Sequence, residues 1–75
     1  MIENRNKSDE IKVSVVIPVY NAQEYLKETL KSIRSQTLSE IEIICVDDGS
    51  TDGSVQIIRQ QMEEDDRITL LQQEN

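Results

Sequence analysis

The stretch IEIICVDDGSTDGS, residues 41–54, joins an apolar β-branched run to an abrupt polar turn. Its first part, Ile41 to Val46, predicts a strand. Asp47 to Ser54 then contains both glycines of the chain among acidic and hydroxyl side chains, which is the sharpest turn signal in the sequence. A strand followed by such a turn is typical of a βα unit.

A similar apolar run lies upstream, from Lys12 to Pro18, where only Ser14 interrupts valine and isoleucine. A continuous run of this kind favours a strand covered on both faces, as in a parallel sheet. We expect Pro18 to end this strand, because proline cannot donate to the ladder. A shorter third strand is predicted from Ile68 to Leu71.

Two amphipathic segments separate these strands. The first has apolar side chains at helical spacing from Ala22 to Ile33, with Asn21 as its expected N-cap. The second begins near Val55, after a turn whose hydroxyl and carboxylate side chains can cap it. It is expected to end near Met62–Glu64, because the acidic run that follows is unfavourable at a helix C-terminus.

The order strand–helix–strand–helix–strand predicts an α/β fold. It is the β-α-β-α-β half of a doubly wound, Rossmann-like, mostly parallel sheet, with three strands and two helices. Residues 1–11 are polar and are predicted to be a disordered leader, so the domain occupies residues 12–75. Ligands of such sheets bind outside the carboxyl ends of the strands, which places a site at the loops 18–21 and 47–52.

Composition limits the function classes. The formal net charge is -7, which disfavours binding to nucleic acid and means that a nucleotide would need backbone N–H groups or a cation. The chain contains neither a membrane span nor the apolar segment of a signal peptide, so a soluble, cytoplasmic protein is expected. Its single cysteine, Cys45, lies in an apolar run and is predicted to be a buried thiol.

The aspartate-rich turn has several possible roles. It can cap the following helix, although this explains adjacent Asp47 and Asp48 poorly. It matches the start of an EF-hand loop from Asp48, but the twelfth position is Arg59 where a bidentate Glu is required. A dinucleotide site is excluded because residues 18–22 contain no glycine for a G-x-G-x-x-G loop. A nucleotide site without a glycine-rich loop remains, with Tyr20 against the base or ribose and a carboxylate accepting a base N–H.

The runs Val13 to Asn21 (VSVVIPVYN) and Val46 to Asp52 (VDDGSTD) together resemble the opening of glycosyltransferase family 2. The similarity extends from about Lys12 to Asn75. It implies a GT-A fold and transfer of a sugar, with inversion, from a nucleotide-diphosphate donor to an acceptor hydroxyl. Carried over by position, Pro18, Val19 and Tyr20 resemble the loop that packs on the base and ribose. Asp48 resembles the carboxylate that binds the base, and Asp47 is its more structural neighbour.

The same resemblance implies that a divalent cation, Mn or Mg, is held by a D-x-D motif on a later strand. No D-x-D occurs in the 75 residues, so neither metal ligands nor catalytic residues are assigned here. We therefore expect the chain to be a truncated nucleotide-binding subdomain that turns over no substrate alone. A non-catalytic nucleotide-binding or regulatory module is the alternative. The apolar edge of the first strand is expected to promote a dimer, a swapped oligomer or aggregation.

Overall fold

A computed structural model of the chain describes residues 13–36 and 40–74. Three strands alternate with two helices: β1 (Val13–Val19), α1 (Leu26–Arg34), β2 (Ile41–Asp48), α2 (Ser54–Glu64) and β3 (Ile68–Gln73). This order confirms the predicted β-α-β-α-β arrangement. The predicted leader, residues 1–11, lies outside the described residues.

The strands form one parallel sheet in the order β1-β2-β3. The register aligns Val13 with Ile41 and Val19 with Asp47 on one side of β2. On the other side it aligns Ile43 with Ile68 and Asp48 with Gln73. All three strands therefore end at the same edge of the sheet, where polar side chains replace the apolar ones.

Both helices pack on one face of the sheet. In β2 the buried residues alternate with partly exposed ones, and the buried set joins residues of α1 and α2 in a single core. That core consists of Val19, Ala22, Leu26, Leu30, Ile41, Ile43, Cys45, Ile58 and Ile68. Strands that follow one another in spatial order, without a reversal, place their crossovers on the same side. The expectation that both faces are covered is therefore wrong for the described residues, where Val16 and Leu71 lie 59% and 52% exposed.

Pro18 lies inside β1, which continues to Val19, so the prediction that Pro18 ends the strand is wrong. The N–H of Val13 donates to the carbonyl of Glu40 at 3.3 Å, so the odd-numbered backbone groups of β1 point towards β2. Alternate residues point the opposite way, and the nitrogen of Pro18 therefore lies on the outer edge, where no ladder bond is lost.

Other strands and helices also begin or end at residues different from those predicted. The strand β2 includes Asp47 and Asp48, and β3 continues through Gln73. The helix α1 begins at Leu26 instead of directly after Asn21, and Asn21 has a positive φ of 48°. Asparagine tolerates this left-handed conformation better than most residues do. The end of α2 at Glu64 agrees with the prediction.

A cluster of charged side chains lies at the end of the domain opposite the loops that follow β1 and β2. Arg67 donates from Nε and Nη2 to the two carboxylate oxygens of Asp65, at 3.0 and 2.8 Å. Its Nη2 also donates to the carbonyl of Arg34, which is the last residue of α1. The fork-shaped pair thus fixes the α2–β3 connection against the C-terminus of α1.

Candidate functional site

The predicted site residues converge at the carboxyl edge of the sheet. Val19 is the register partner of Asp47, so the ends of β1 and β2 lie side by side. Pro18 is exposed, and Tyr20, the first residue after β1, is 51% exposed. Val19 differs from these two because it is only 1% exposed and belongs to the core. Its side chain therefore anchors the end of β1, while Pro18 and Tyr20 are accessible from outside.

Asp47 and Asp48 occupy consecutive strand positions and so point to opposite faces of the sheet. Asp47 is 2% exposed on the helix-covered face, whereas Asp48 is partly exposed on the open face. This alternation separates the two carboxylates, so their charges repel each other less than adjacent positions in the sequence suggest. The two residues can therefore have different roles.

Asp47 stabilises the turn that follows it through a side-chain hydrogen bond. One of its oxygens, Oδ2, accepts the backbone N–H of Ser50 at 3.2 Å. The other, Oδ1, is buried and has no hydrogen-bond partner among the described residues. A buried carboxylate oxygen without a donor is costly, so this position favours the approach of an N–H or O–H group.

Among the described residues, Asp48 makes one long hydrogen bond to protein, in which Gln73 Nε2 donates to Oδ1 at 3.4 Å. Gln73 is its register partner at the end of β3. The carboxylate of Asp48 therefore keeps most of its acceptor capacity free, and a glutamine amide lies beside it.

The loops after β1 and β2 are joined by hydrogen bonds centred on Asn21. Its backbone N–H donates to Ser50 Oγ at 2.8 Å. Its side-chain Oδ1 accepts the N–H groups of Thr51, at 2.8 Å, and of Asp52, at 3.3 Å. Asn21 thus stabilises the neighbouring loop instead of capping the helix that follows it in sequence.

A second set of bonds continues this connection to the start of α2. Ser54 Oγ accepts the N–H of Ala22 at 2.8 Å and donates to Asp52 Oδ1 at 2.6 Å. Gln23 Oε1 accepts the N–H of Gly53 at 2.6 Å. The hydroxyl and backbone donors of Ser54 lower the pKa of Asp52, which favours its ionised form. The two loops consequently form one cross-linked unit, which we call the strand-end clasp (residues 20–23 and 50–54).

A cleft of about 300 Å³ opens beside this clasp, between the ends of β2 and β3. Its lining is acidic and amide-rich, with no basic side chain, and comprises Asp47, Gly49, Ser50, Gln72, Gln73 and Glu74. Gly49 has a φ of 81°, a conformation that glycine adopts without strain. The cleft offers oxygens and amides for recognising a polar ligand, but no cation for neutralising phosphate charge.

Several of these residues were not predicted from sequence. Gln72 and Gln73 would have been included if the third strand had been extended to its true end, because strand ends define the site in such sheets. Asn21 lies in the predicted loop 18–21 but was assigned there as a helix N-cap, and Gln23 was not singled out, although both are hydrogen-bonding residues in the loop after β1. Their hydrogen-bond partners lie about thirty positions away in the sequence, so a local pattern of residues could not identify them.

Metal ligands are not assembled in the described residues, which contain no group of three or more His, Cys, Asp or Glu side chains placed to hold an ion. Neither described helix has the length and apolar character that crossing a bilayer requires.

The parallel α/β half-sheet of this chain is similar to the fold of a GT-A enzyme of known structure. The chain superimposes with a TM-score of 0.72 on a mannosyltransferase, PcManGT from Pyrobaculum calidifontis, solved in complex with GDP-Man and Mn²⁺. The two are 28% identical, and the match covers 91% of this chain and 20% of that one.

The sequence model of Glycosyl transferase family 2 matches residues 14–75, and the chain belongs to this family. Two curated relatives come from Streptococcus pneumoniae. Glycosyltransferase GlyA is 48% identical over 85% of this chain and 9% of its own length. Glycosyltransferase GlyG is 51% identical over 84% of this chain and 21% of its own length. The chain thus spans only about a tenth to a fifth of the curated relatives it matches.

Proposed function

We propose that this chain is the nucleotide-binding part of an inverting glycosyltransferase, which transfers a sugar from a nucleotide-diphosphate donor to an acceptor hydroxyl. The observation that carries the proposal is the convergence of Tyr20 and Asp48 at the ends of neighbouring parallel strands. One supplies an exposed aromatic face, and the other supplies a carboxylate with free acceptor capacity. Family membership and the GDP-Man complex of the structural neighbour support the same conclusion.

In this proposal the base or ribose lies against Tyr20 and Pro18, and Asp48 accepts an N–H of the base. Stacking of a base on an aromatic ring contributes about 1–3 kcal/mol, so Tyr20 alone supports weak binding. The strand-end clasp orders the loops next to these groups before the ligand arrives, which lowers the entropic cost of binding. Asp47 supports the loop through Ser50, and its free Oδ1 is a second acceptor for a ligand donor or water.

The donor diphosphate requires positive charge that the described residues do not provide. The cleft has an acidic lining, the described residues hold no cation site, and the 75 residues contain no D-x-D motif. The described residues therefore assemble no site for a divalent cation. We expect binding of the nucleoside portion to be independent of Mn²⁺, and we expect the chain alone not to transfer sugar, because charge stabilisation at the leaving group is missing.

Titration of ¹⁵N-labelled protein with UDP, GDP, dTDP, CDP and ADP, each with and without Mn²⁺, tests the proposal. At least one nucleotide should shift the amide resonances of Tyr20, Asp48 and Gly49, and the matching nucleoside should produce the same shifts. Asp48→Ala should weaken this binding by about tenfold or more, because a hydrogen bond to a charged group contributes about 1.5–3 kcal/mol.

Glu63→Ala is the matched control, because it removes the same charge from an exposed position at the far end of α2. It should leave the affinity unchanged. If none of the five nucleotides perturbs the strand-end resonances at millimolar concentration, or if both variants weaken binding equally, the assignment of this edge as a nucleotide site is wrong.

A further inference from the structure

The two loops of the strand-end clasp exchange hydrogen bonds in both directions. Three consecutive backbone N–H groups after Tyr20 donate to side chains of the second loop: Asn21 to Ser50 Oγ at 2.8 Å, Ala22 to Ser54 Oγ at 2.8 Å, and Gln23 to Asp52 Oδ2 at 3.2 Å. In return, N–H groups of the second loop donate to side chains of the first: Thr51 and Asp52 to Asn21 Oδ1, and Gly53 to Gln23 Oε1. The backbone that follows Tyr20 is therefore held by residues about thirty positions away.

The position of the Tyr20 ring depends on this backbone. Tyr20 is 51% exposed, so packing restrains its side chain only in part. Val19, the residue before it, is 1% exposed and belongs to the core, while the residues after it are held by the clasp. The rotamers that a side chain can adopt depend on its backbone angles. The clasp therefore limits the directions in which the ring of Tyr20 can point.

Ser54 connects the two loops from a buried position. It is 0% exposed, and its Oγ accepts the N–H of Ala22 and donates to Asp52 Oδ1 at 2.6 Å. The carbonyl of Ala22 in turn accepts the N–H of Leu26, the first residue of α1, at 2.9 Å. Successive hydrogen bonds polarise one another, so a hydroxyl that donates to a carboxylate is a stronger acceptor. Asp52 therefore strengthens the bond between Ala22 and Ser54 through the hydroxyl.

The carboxylate of Asp52 uses both of its oxygens. Its Oδ1 accepts the N–H and the hydroxyl of Ser54, at 2.9 and 2.6 Å, and its Oδ2 accepts the N–H of Gln23 at 3.2 Å. An amide of the same shape presents an acceptor on one side only and an NH₂ group on the other. Asparagine at this position would consequently place a donor against either the Ser54 donors or the Gln23 N–H.

We propose that Asp52 and Ser54 are positioning residues for nucleotide binding, because they hold the loop after β1 so that Tyr20 presents its ring to the base or ribose. This inference rests on the proposed function, which assigns the carboxyl edge of the sheet as a nucleotide site. It goes further by making the affinity depend on two side chains whose partners are protein groups. Ser54 is buried, and the oxygens of Asp52 are occupied by protein donors.

NMR titration of two clasp variants with UDP and GDP as probes tests the proposal. Ser54→Ala removes the hydroxyl, and Asp52→Asn replaces one acceptor by a donor. Each variant should bind the nucleotide about threefold to tenfold more weakly, because the ligand must then order the loop itself. Amide ¹⁵N relaxation in the absence of nucleotide should show increased picosecond–nanosecond motion at Tyr20 and Ala22 in both variants.

Asp65→Asn is the matched control, since it makes the same carboxylate-to-amide change at the opposite end of the domain. Asp65 also accepts the backbone N–H of the second residue after it, Arg67, at 3.0 Å. A residue with a purely structural role should lower stability and leave the affinity of the folded protein unchanged. Asp65→Asn should therefore destabilise the fold, bind nucleotide like wild type and leave the relaxation of Tyr20 unaltered.

Gly53→Ala is a milder variant that keeps both positioning residues. A Cβ at this position would lie 2.7 Å from Gln23 Oε1, so the Gln23 side chain must move and its bond to the N–H of residue 53 is lost. The backbone of Gly53, at φ -84°, suits alanine. The affinity should fall by less than in Ser54→Ala, because the bonds of Ser54 and Asp52 remain.

The possible results separate this inference from the proposed function. If the wild-type protein binds neither probe, the nucleotide assignment is wrong and the positioning role fails with it. If the wild-type protein binds but folded Asp52→Asn and Ser54→Ala bind equally well, only the positioning role is overturned. An equal loss of affinity in Asp65→Asn would also overturn it, because the loss would then follow from stability alone.

Discussion

The side-chain oxygen of Asn21 accepts the backbone N–H of Thr51 at 2.8 Å, which joins the end of the first strand to the loop after the second. Asn21 makes this bond with its backbone at a positive φ of 48°. One residue thus supplies both the backbone turn that ends β1 and the acceptor that orders the neighbouring loop. The geometry of the candidate site depends on this connection, because Tyr20 lies directly before it and Asp48 lies on the adjacent strand.

Substitutions at Asn21 should separate the turn from the hydrogen bonds. Asn21→Ala loses the acceptor and strains the backbone, so it should lower the free energy of unfolding by about 1–2 kcal/mol. Asn21→Gly relieves the strain but still lacks the acceptor, so its cost should be smaller. Asn21→Asp keeps both features and should be close to wild type. Urea denaturation measures all three, and an aspartate variant as unstable as the alanine variant would contradict this role.

Neighbouring isoleucines of β2 should respond differently to loss of a methyl group. Ile43 is fully buried under the helices, whereas Ile44 is partly exposed on the open face. Ile43→Val should cost about 0.5–1.5 kcal/mol, and Ile44→Val should cost clearly less. Valine preserves β-branching, so the comparison isolates burial. Equal losses in urea denaturation would show that the open face is covered as well as the helix face.

The thiol of Cys45 should react only when the sheet opens. Cys45 is 0% exposed, and burial raises its pKa to about 11. At pH 8 a thiol reagent such as 5,5′-dithiobis(2-nitrobenzoate) should therefore label the folded protein slowly, because thiolate and access are both lacking. The same reagent in urea should label it at once. Rapid labelling of protein that remains folded would mean that the core around β2 is not closed.

The ion pair of Asp65 should make stability depend on acid pH. The hydrogen bonds from Arg67 lower the pKa of Asp65 to about 2, below the ordinary value of 3.8. A carboxyl whose pKa falls on folding stabilises the native state above the unfolded pKa, and this contribution is lost as pH drops from about 4 towards 2. After allowance for solvent screening, its size is about 1–2 kcal/mol.

Asp65→Asn should therefore destabilise the protein by this amount at pH 7, and the difference from wild type should shrink as pH approaches 2. Urea denaturation at several pH values provides the measurement. The exposed neighbour Asp66 gives the control for loss of a carboxylate, since Asp66→Asn should lower the free energy of unfolding at pH 7 by less than Asp65→Asn does. A constant deficit for Asp65→Asn across the whole range would exclude the proposed ionisation as its cause.

The local pattern of apolar and polar residues predicted the order and type of every described strand and helix. Each type has its own spacing of apolar residues, and that spacing involves only residues close together in the sequence. The predicted ends of the strands were less accurate where a strand contains polar residues. Asp47 and Asp48 were assigned to a turn, although β2 runs through both of them. Their acidic character suggested a loop, but parallel pairing with β1 and β3 keeps their backbone extended.

The sequence by itself determined the family, the alternation of strands and helices, and the two segments that form the site. Motif and periodicity depend on residues close together in the chain, so they are visible without a structure. Only the tertiary structure decided that Asp47 is buried while Asp48 faces the open side, that Asn21 serves the second loop, and that Pro18 fits within a strand. Each of these outcomes depends on which strand lies beside which, and the contacts that fix it join residues about thirty positions apart.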